Sequence, residues 1–177
     1  MKQICWEMYN DFIKFKHYFL IYNKKATIID RILSIGIAVI SSASVAAWLI
    51  WQQWTIVWAL IIGIGNILSI IKPFLPYEKR LSAIKYILPS LKNLINDVEY
   101  YYNSITLNED NKNEEDINDH IKRFKQTYTD LENKFIDNSI FPYNEKINSK
   151  AEKNTQNELK RKYLFDERRQ INNGKNV

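Results

Sequence analysis

The chain has 177 residues, 46% of them hydrophobic and 25% charged, with 25 basic against 20 acidic side chains and a single cysteine, Cys5. These averages fit one soluble domain, but residues 32–71 hold no Lys, Arg, Asp, Glu or His, so every formal charge flanks that block. The pattern excludes a purely soluble protein, a disulfide scaffold and a multidomain enzyme, and four Gly with four Pro disfavour the many turns of an all-β design. An all-α membrane protein is expected, with an N-terminal amphipathic helix (1–31), a two-helix transmembrane hairpin (32–71) and a C-terminal cytosolic helical bundle.

In the N-terminal segment, Cys5, Met8, Phe12, Phe15, Phe19 and Tyr22 recur at spacings of three and four, which is one helical stripe. Its aromatic content suits either the membrane interface or packing against the cytosolic helices. His17 reads as a helix-surface or interface residue and Cys5 as part of the apolar face.

Next come ILSIGIAVISSASVAAWLIW (32–51) and WTIVWALIIGIGNILSII (54–71), which as helices reach roughly 30 and 27 Å, close to the thickness of a bilayer core. Gln52 and Gln53 form the turn, bracketed by Trp48, Trp51, Trp54 and Trp58 at the level expected of an interfacial belt. Lys14, Lys16, Lys24, Lys25 and Arg31 precede the block and Lys72, Lys79, Arg80 and Lys85 follow it, so both termini are expected in the cytoplasm. Two soluble readings compete. A signal peptide with a Ser44-Val45-Ala46 cleavage site would have an unusually long leader followed at once by a second apolar run. A pair of buried core helices would need the polar remainder to cover an uncharged hairpin on every side.

Small residues four apart mark membrane helix contacts, and Ser34, Ala38, Ser42 and Ala59 are candidates, with Gly63 repeating the spacing after Ala59. Asn66 is the most polar side chain at membrane depth and must face protein or water. Either it bonds a serine of the first span or, with Ser69 and Gly63, it lines a hydrated pore.

After the spans, Pro73 and Pro76 redirect the chain into a cytosolic helix (72–105) expected to kink at Pro89. Its stripe of Leu81, Ile84, Leu88, Leu91, Ile95 and Val98 has coiled-coil spacing and is a candidate cytosolic oligomer interface. A solvated linker (106–116) precedes further cytosolic helices (117–170), where Ile117, Ile121, Phe124, Tyr128, Leu131 and Phe135 repeat at four and three. The tail (171–177) is expected to be disordered. The cluster Lys160-Arg161-Lys162 with Arg168-Arg169 is interleaved with Glu158, Asp166 and Glu167, so no direct nucleic-acid binding is expected.

No cofactor or metal spacing is present, and the two histidines, His17 and His120, are far apart in sequence. The Arg-to-His spacing of small helical ribonucleases is missing as well: Arg123 follows His120 instead of preceding it. No enzyme is expected.

The Asp30-Arg31 lead, the run from Ser41 to Trp48, the Trp-flanked turn and the exit from Ile71 to Arg80 (IKPFLPYEKR) resemble the SLATT superfamily of two-span effectors of prokaryotic conflict systems. Within it, the length, aromatic leading helix and helical tail look most like the membrane accessory proteins of type VI-B CRISPR systems. The resemblance implies a homo-oligomeric ring in membrane lipid that permeabilises the inner membrane, functionally coupled to an RNA-guided RNA-cleaving effector. A divergent nuclease motif ascribed to those accessory proteins is not matched here. A phage lysis protein of the holin kind, usually shorter, and a non-conducting scaffold that recruits the RNA-cleaving partner are the rival readings.

Overall fold

The computed structural model describes the backbone of residues 2–50, 54–107, 114–136, 141 and 143–174, and the side chains of these except 42–50, 107 and 163–174. The described elements are helical: α1 (Lys2–Ile50), α2 (Thr55–Ile71), a 3-10 turn (Lys72–Phe74), α3 (Tyr77–Leu107), α4 (Glu114–Phe135) and α5 (Glu145–Gly174). No strand occurs among the described residues. The chain divides into two compact units, one of Met1–Tyr22 with Ala83–Val177 and one of Asn23–Ser82.

The first difference from expectation is that the amphipathic helix and the first apolar run are one uninterrupted helix. Residues 23–31 (NKKATIIDR) contain neither Gly nor Pro, so nothing breaks the hydrogen-bond ladder at the change from polar to apolar sequence. At the other end of the chain, α5 continues to Gly174, through residues 171–174 of the expected tail, because no helix breaker intervenes before that glycine. Residues 108–113 of the expected linker lie outside the described residues, while 106–107 and 114–116 are helical. Glu114, Glu115 and Asp116 form the first turn of α4, where negative charge complements the helix dipole. Pro89 lies inside α3.

The unit containing both chain termini is a four-helix cluster formed by residues 2–22 of α1, α3 from Ala83, α4 and α5. Side-chain pairs give the directions. Trp6 meets Tyr102 and Tyr9 meets Glu99, so α1 and α3 run antiparallel. Tyr101 meets Phe124 and Tyr86 meets Phe135, so α3 and α4 do too. Lys16 meets Glu158 and Tyr9 meets Lys162, which makes α5 antiparallel to α1. The aromatic stripe of α1 belongs to this core: Cys5, Met8, Phe12, Phe19 and Tyr22 are buried, and Phe15 sits at its margin. Packing within the chain, rather than the membrane interface, receives this helix.

The stripe of α3 meets the same fate. Ile84, Leu91 and Val98 have essentially no exposure, Ile95 is buried, and Leu88 is half-buried, all within this one unit. This corrects the expectation that the stripe joins copies of the chain: these side chains are the monomer's own core, and exposing them would undo the unit. Leu81 belongs to the other unit and is half-buried there.

In the unit of Asn23–Ser82, α2 packs antiparallel to the apolar part of α1: Lys72 reaches Ser34 and Gly65 faces Ile40, so partners rise along one helix as they fall along the other. Ala26, Asp30, Leu33, Ile37 and Ile40 recur at four and three on α1, and Trp58, Ile61, Gly65, Leu68 and Lys72 at three and four on α2, all buried or half-buried. The seam therefore has the left-handed supercoil spacing of membrane bundles. Gly65 is its closest approach. A Cβ there would overlap Ile40 Cγ2 and lie 3.2 Å from Ile40 Cβ, whereas a Cβ on Gly63 or Gly36 would meet nothing within 4 Å. The seam glycine is thus Gly65, not the expected Gly63, while Ala38 and Ala59 are exposed and the Ser42 side chain lies outside the described residues.

Gly65→Ala is accordingly expected to lower the thermal stability of the detergent-solubilised full chain by about 1–3 kcal/mol through overpacking against Ile40. Gly63→Ala should shift it by less than about 1 kcal/mol. Circular-dichroism melts of the two variants check the difference, and equal shifts would exclude the Gly65 contact.

Candidate functional site

Beyond the seam, α2 turns its apolar side chains outward. Ile56, Leu60, Ile64, Ile67 and Ile70 are 55–79% exposed, as are Ile32, Ile35 and Val39 of α1 at 56–64%. Among the described residues one helical stretch, Thr55–Thr106, is long and apolar enough to cross a membrane, with its apolar window almost entirely unburied. The first apolar run loses its second half to such a test, since the side chains of 42–50 and all of 51–53 lie outside the described residues. The same holds for the Gln52-Gln53 turn and for Trp48 and Trp51. Trp54 is exposed and Trp58 half-buried.

Gly63, Asn66 and Ser69, three residues apart, lie along one side of α2 between the seam and the isoleucine-rich face. Asn66 and Ser69 are exposed. No hydrogen bond from the Asn66 side chain occurs among the described residues, and Ser34 in the first run is engaged elsewhere, donating to Asp30 O at 2.7 Å and accepting from Lys72 Nζ at 2.7 Å. The structure thus brings the three pore-lining candidates onto one outward face and, among the described residues, gives their amide no partner; the side chains of Ser42 and Ser44 lie outside those residues.

The other unit holds two polar clusters that sequence reasoning missed. Glu158 of α5 accepts from Lys16 Nζ with both carboxylate oxygens, at 2.6 and 2.9 Å, and its Oε2 lies 2.7 Å from His17 Nε2. Burial pushes the His17 pKa below its ordinary 6.5 despite the neighbouring carboxylate, so at neutral pH His17 is uncharged and donates from Nε2. Burial would raise Glu158, but Lys16 and then His17 outweigh it and hold the carboxyl below 4.5. The second cluster joins three helices: Tyr9 Oη donates to Glu99 at 2.9 Å, and Lys162 pairs with Glu99 and reaches Tyr9 Oη at 3.2 Å. Burial and then Glu99 keep the Tyr9 phenol protonated. Residues more than 130 apart in sequence meet in the first cluster, and no local spacing signals such a pair.

His17 is committed to Glu158, while His120 stacks on Tyr101 with ring centroids 4.2 Å apart and lies 3.8 Å from Asp116 one turn earlier. Among the described residues no group of His, Cys, Asp or Glu could hold a metal ion. Phe12 and Phe15 stack on Tyr128 at 5.0 and 5.2 Å, and Phe15, Tyr18, Tyr128 and Phe141 line a cavity of about 230 Å³. Comparison with family models, curated proteins and solved structures finds no match to this chain.

The Glu158 cluster makes the α1–α5 contact acid-sensitive. The unfolded chain takes up the His17 proton near pH 6.5 and the Glu158 proton near 4.5, each before the folded chain does, so both contributions are present above those values and are lost as pH falls. Glu158→Gln is expected to destabilise the full chain by on the order of 1 kcal/mol at pH 7, after solvent screening of a partly exposed pair. The gap from wild type should close below pH 4.5 in melts followed by circular dichroism. A gap independent of pH would dissociate Glu158 from the effect.

Proposed function

We propose that this chain is the subunit of an oligomeric inner-membrane pore that depolarises or permeabilises the cell membrane in antiphage defence. The reading is carried by one observation: Asn66, with Ser69 and Gly63 beside it, faces outward from α2 and has no partner among the described residues. In hydrocarbon an unpaired amide costs several kcal/mol, so this face requires water or another copy of the chain. Two helices per subunit cannot enclose a water-filled path, and a closed ring of identical subunits supplies both at once. With the α3 stripe used inside the monomer, the ring's cytosolic contacts fall to other surfaces of the four-helix unit.

The antiviral setting, and the coupling to an RNA-guided RNA-cleaving effector, come from the resemblance to SLATT-type two-span proteins and type VI-B CRISPR accessory proteins. The resemblance is carried by Asp30-Arg31, residues 41–48 and residues 71–80. A non-conducting scaffold that recruits the same partner would share the hairpin but would have no use for an unpartnered amide on its lipid side.

Full-length protein in dye-loaded liposomes is expected to release the dye, and Asn66→Leu to reduce release by about tenfold or more, since it places an apolar side chain on the hydrated face. Inserted protein that leaves vesicles tight, while still binding the effector, would favour the scaffold.

A further inference from the structure

The unit of Asn23–Ser82 contains an ionic cavity where its two apolar runs end. Asp30 immediately precedes the charged Arg31 and the first uncharged run, and Lys72 follows Ile71, the last residue of the second. The bond from Lys72 Nζ to Ser34 Oγ, 2.7 Å, brings those two ends together. Asp30, Lys72, Tyr77 and Glu78 line a cavity of about 220 Å³ whose remaining walls, Pro73 and Leu75, are apolar.

The charges in this cavity are only partly used. An ammonium has three donors, and Lys72 commits one to Ser34. Its distance to Asp30 Oδ1 is 3.9 Å, an ion pair but beyond hydrogen-bond reach. Each ion is about 30% exposed. A cation with spare donors and two carboxylates with spare acceptors thus share one small space at the boundary between apolar and charged sequence. A ligand matching it carries an anion that accepts from Lys72 and, a few bonds away, a cation that can donate hydrogen bonds to Asp30 and Glu78. A phosphodiester bearing a primary ammonium meets both demands.

We infer that this cavity binds the headgroup of phosphatidylethanolamine, its phosphate on Lys72 and its ammonium on Asp30 and Glu78. The lipid is the source because the cavity adjoins the ends of both uncharged runs, where a headgroup lies; the inference therefore rests on the proposed insertion of the hairpin. Phosphatidylcholine offers the same phosphate, but its trimethylammonium has no N–H to donate. Phosphatidylglycerol has no cation for the two carboxylates.

The test uses the full chain reconstituted in vesicles of mixed phosphatidylethanolamine, phosphatidylcholine and phosphatidylglycerol with identical acyl chains. Flotation shows insertion, and native mass spectrometry after mild detergent extraction reads the retained lipid. Phosphatidylethanolamine is expected to be retained about tenfold over its share of the bilayer, reflecting its charge-assisted hydrogen bonds. Lys72→Met and Asp30→Asn should each bring retention towards parity, and so, in part, should Glu78→Gln, which alters an exposed side chain and leaves the fold intact. Glycerophosphoethanolamine, with the same charges and no acyl chains, should not displace the lipid; displacement would assign the site to a soluble phosphoester and overturn the lipid assignment. Protein that floats but retains the three lipids in bulk proportion, or variants that keep the preference, would overturn this inference alone. Protein that fails to float would overturn the membrane reading and this inference together.

Discussion

A helix that packs on one neighbour and turns isoleucine outward on its remaining sides leaves a broad apolar surface to be covered, and α2 is such a helix among the described residues. Burial of apolar area normally drives helices together in water, but here the sides left over after packing keep Ile56, Leu60, Ile64, Ile67 and Ile70 exposed. The proposed membrane setting suits this association, since in lipid close approach and dispersion contacts replace the hydrophobic effect. Gly65 against Ile40 provides that approach, and the Lys72 to Ser34 bond closes the seam at its charged end.

The four-helix unit follows the opposite logic. Ile84, Leu91 and Val98 of α3 vanish from the surface, as do Cys5, Tyr9 and Ile13 of α1, and the charges on the outer faces belong to a protein in water. Polar groups enter its helix contacts in two bonded sets, while Asn10 Oδ1 is buried with no hydrogen-bond partner among the described residues. Glu99 accepts from Tyr9 and pairs with Lys162, which ties α3 to α1 and α5, and Glu158 accepts from Lys16 and His17, which ties α5 to α1. Such sets specify register, which an aliphatic stripe alone leaves free to slide by a turn.

Periodicity made most of this architecture legible in advance. The stripe of α4 from Ile117 to Phe135 points inward as its spacing requires, with Ile117 and Ile121 buried, and Phe124, Tyr128, Leu131 and Phe135 half-buried. What periodicity leaves open is the identity of the covering partner. The α3 stripe has the spacing of an interface between copies and is in fact covered by α1 and α4 of its own chain, because a seven-residue repeat records that a face is apolar without recording what lies on it. The seam glycine was misplaced for a related reason. A rule of small residues four apart selects Ala59 and Gly63, but the phase of the contact is set by the whole series Trp58, Ile61, Gly65, Leu68 and Lys72, in which Gly65 falls at the centre. The Glu158 cluster left no trace at all, since its members stand on the first and last helices of the chain.

The same consideration bears on Asn66. In the hairpin Ser34 is bonded on both sides, whereas Asn66 is exposed with no partner among the described residues, so in the proposed membrane setting its amide calls for a partner beyond them. A lipid tail has neither donor nor acceptor. Water has both, and so does the Asn66 of a symmetry-related neighbour, since an amide donates and accepts at once. In a closed ring the two solutions coincide: equivalent asparagines placed around an axis either bond one another or line the space between them. Movement of the helices by a fraction of a turn would exchange one arrangement for the other. In the proposed ring, Asn66 is thereby the residue best placed to distinguish a sealed arrangement from an open one.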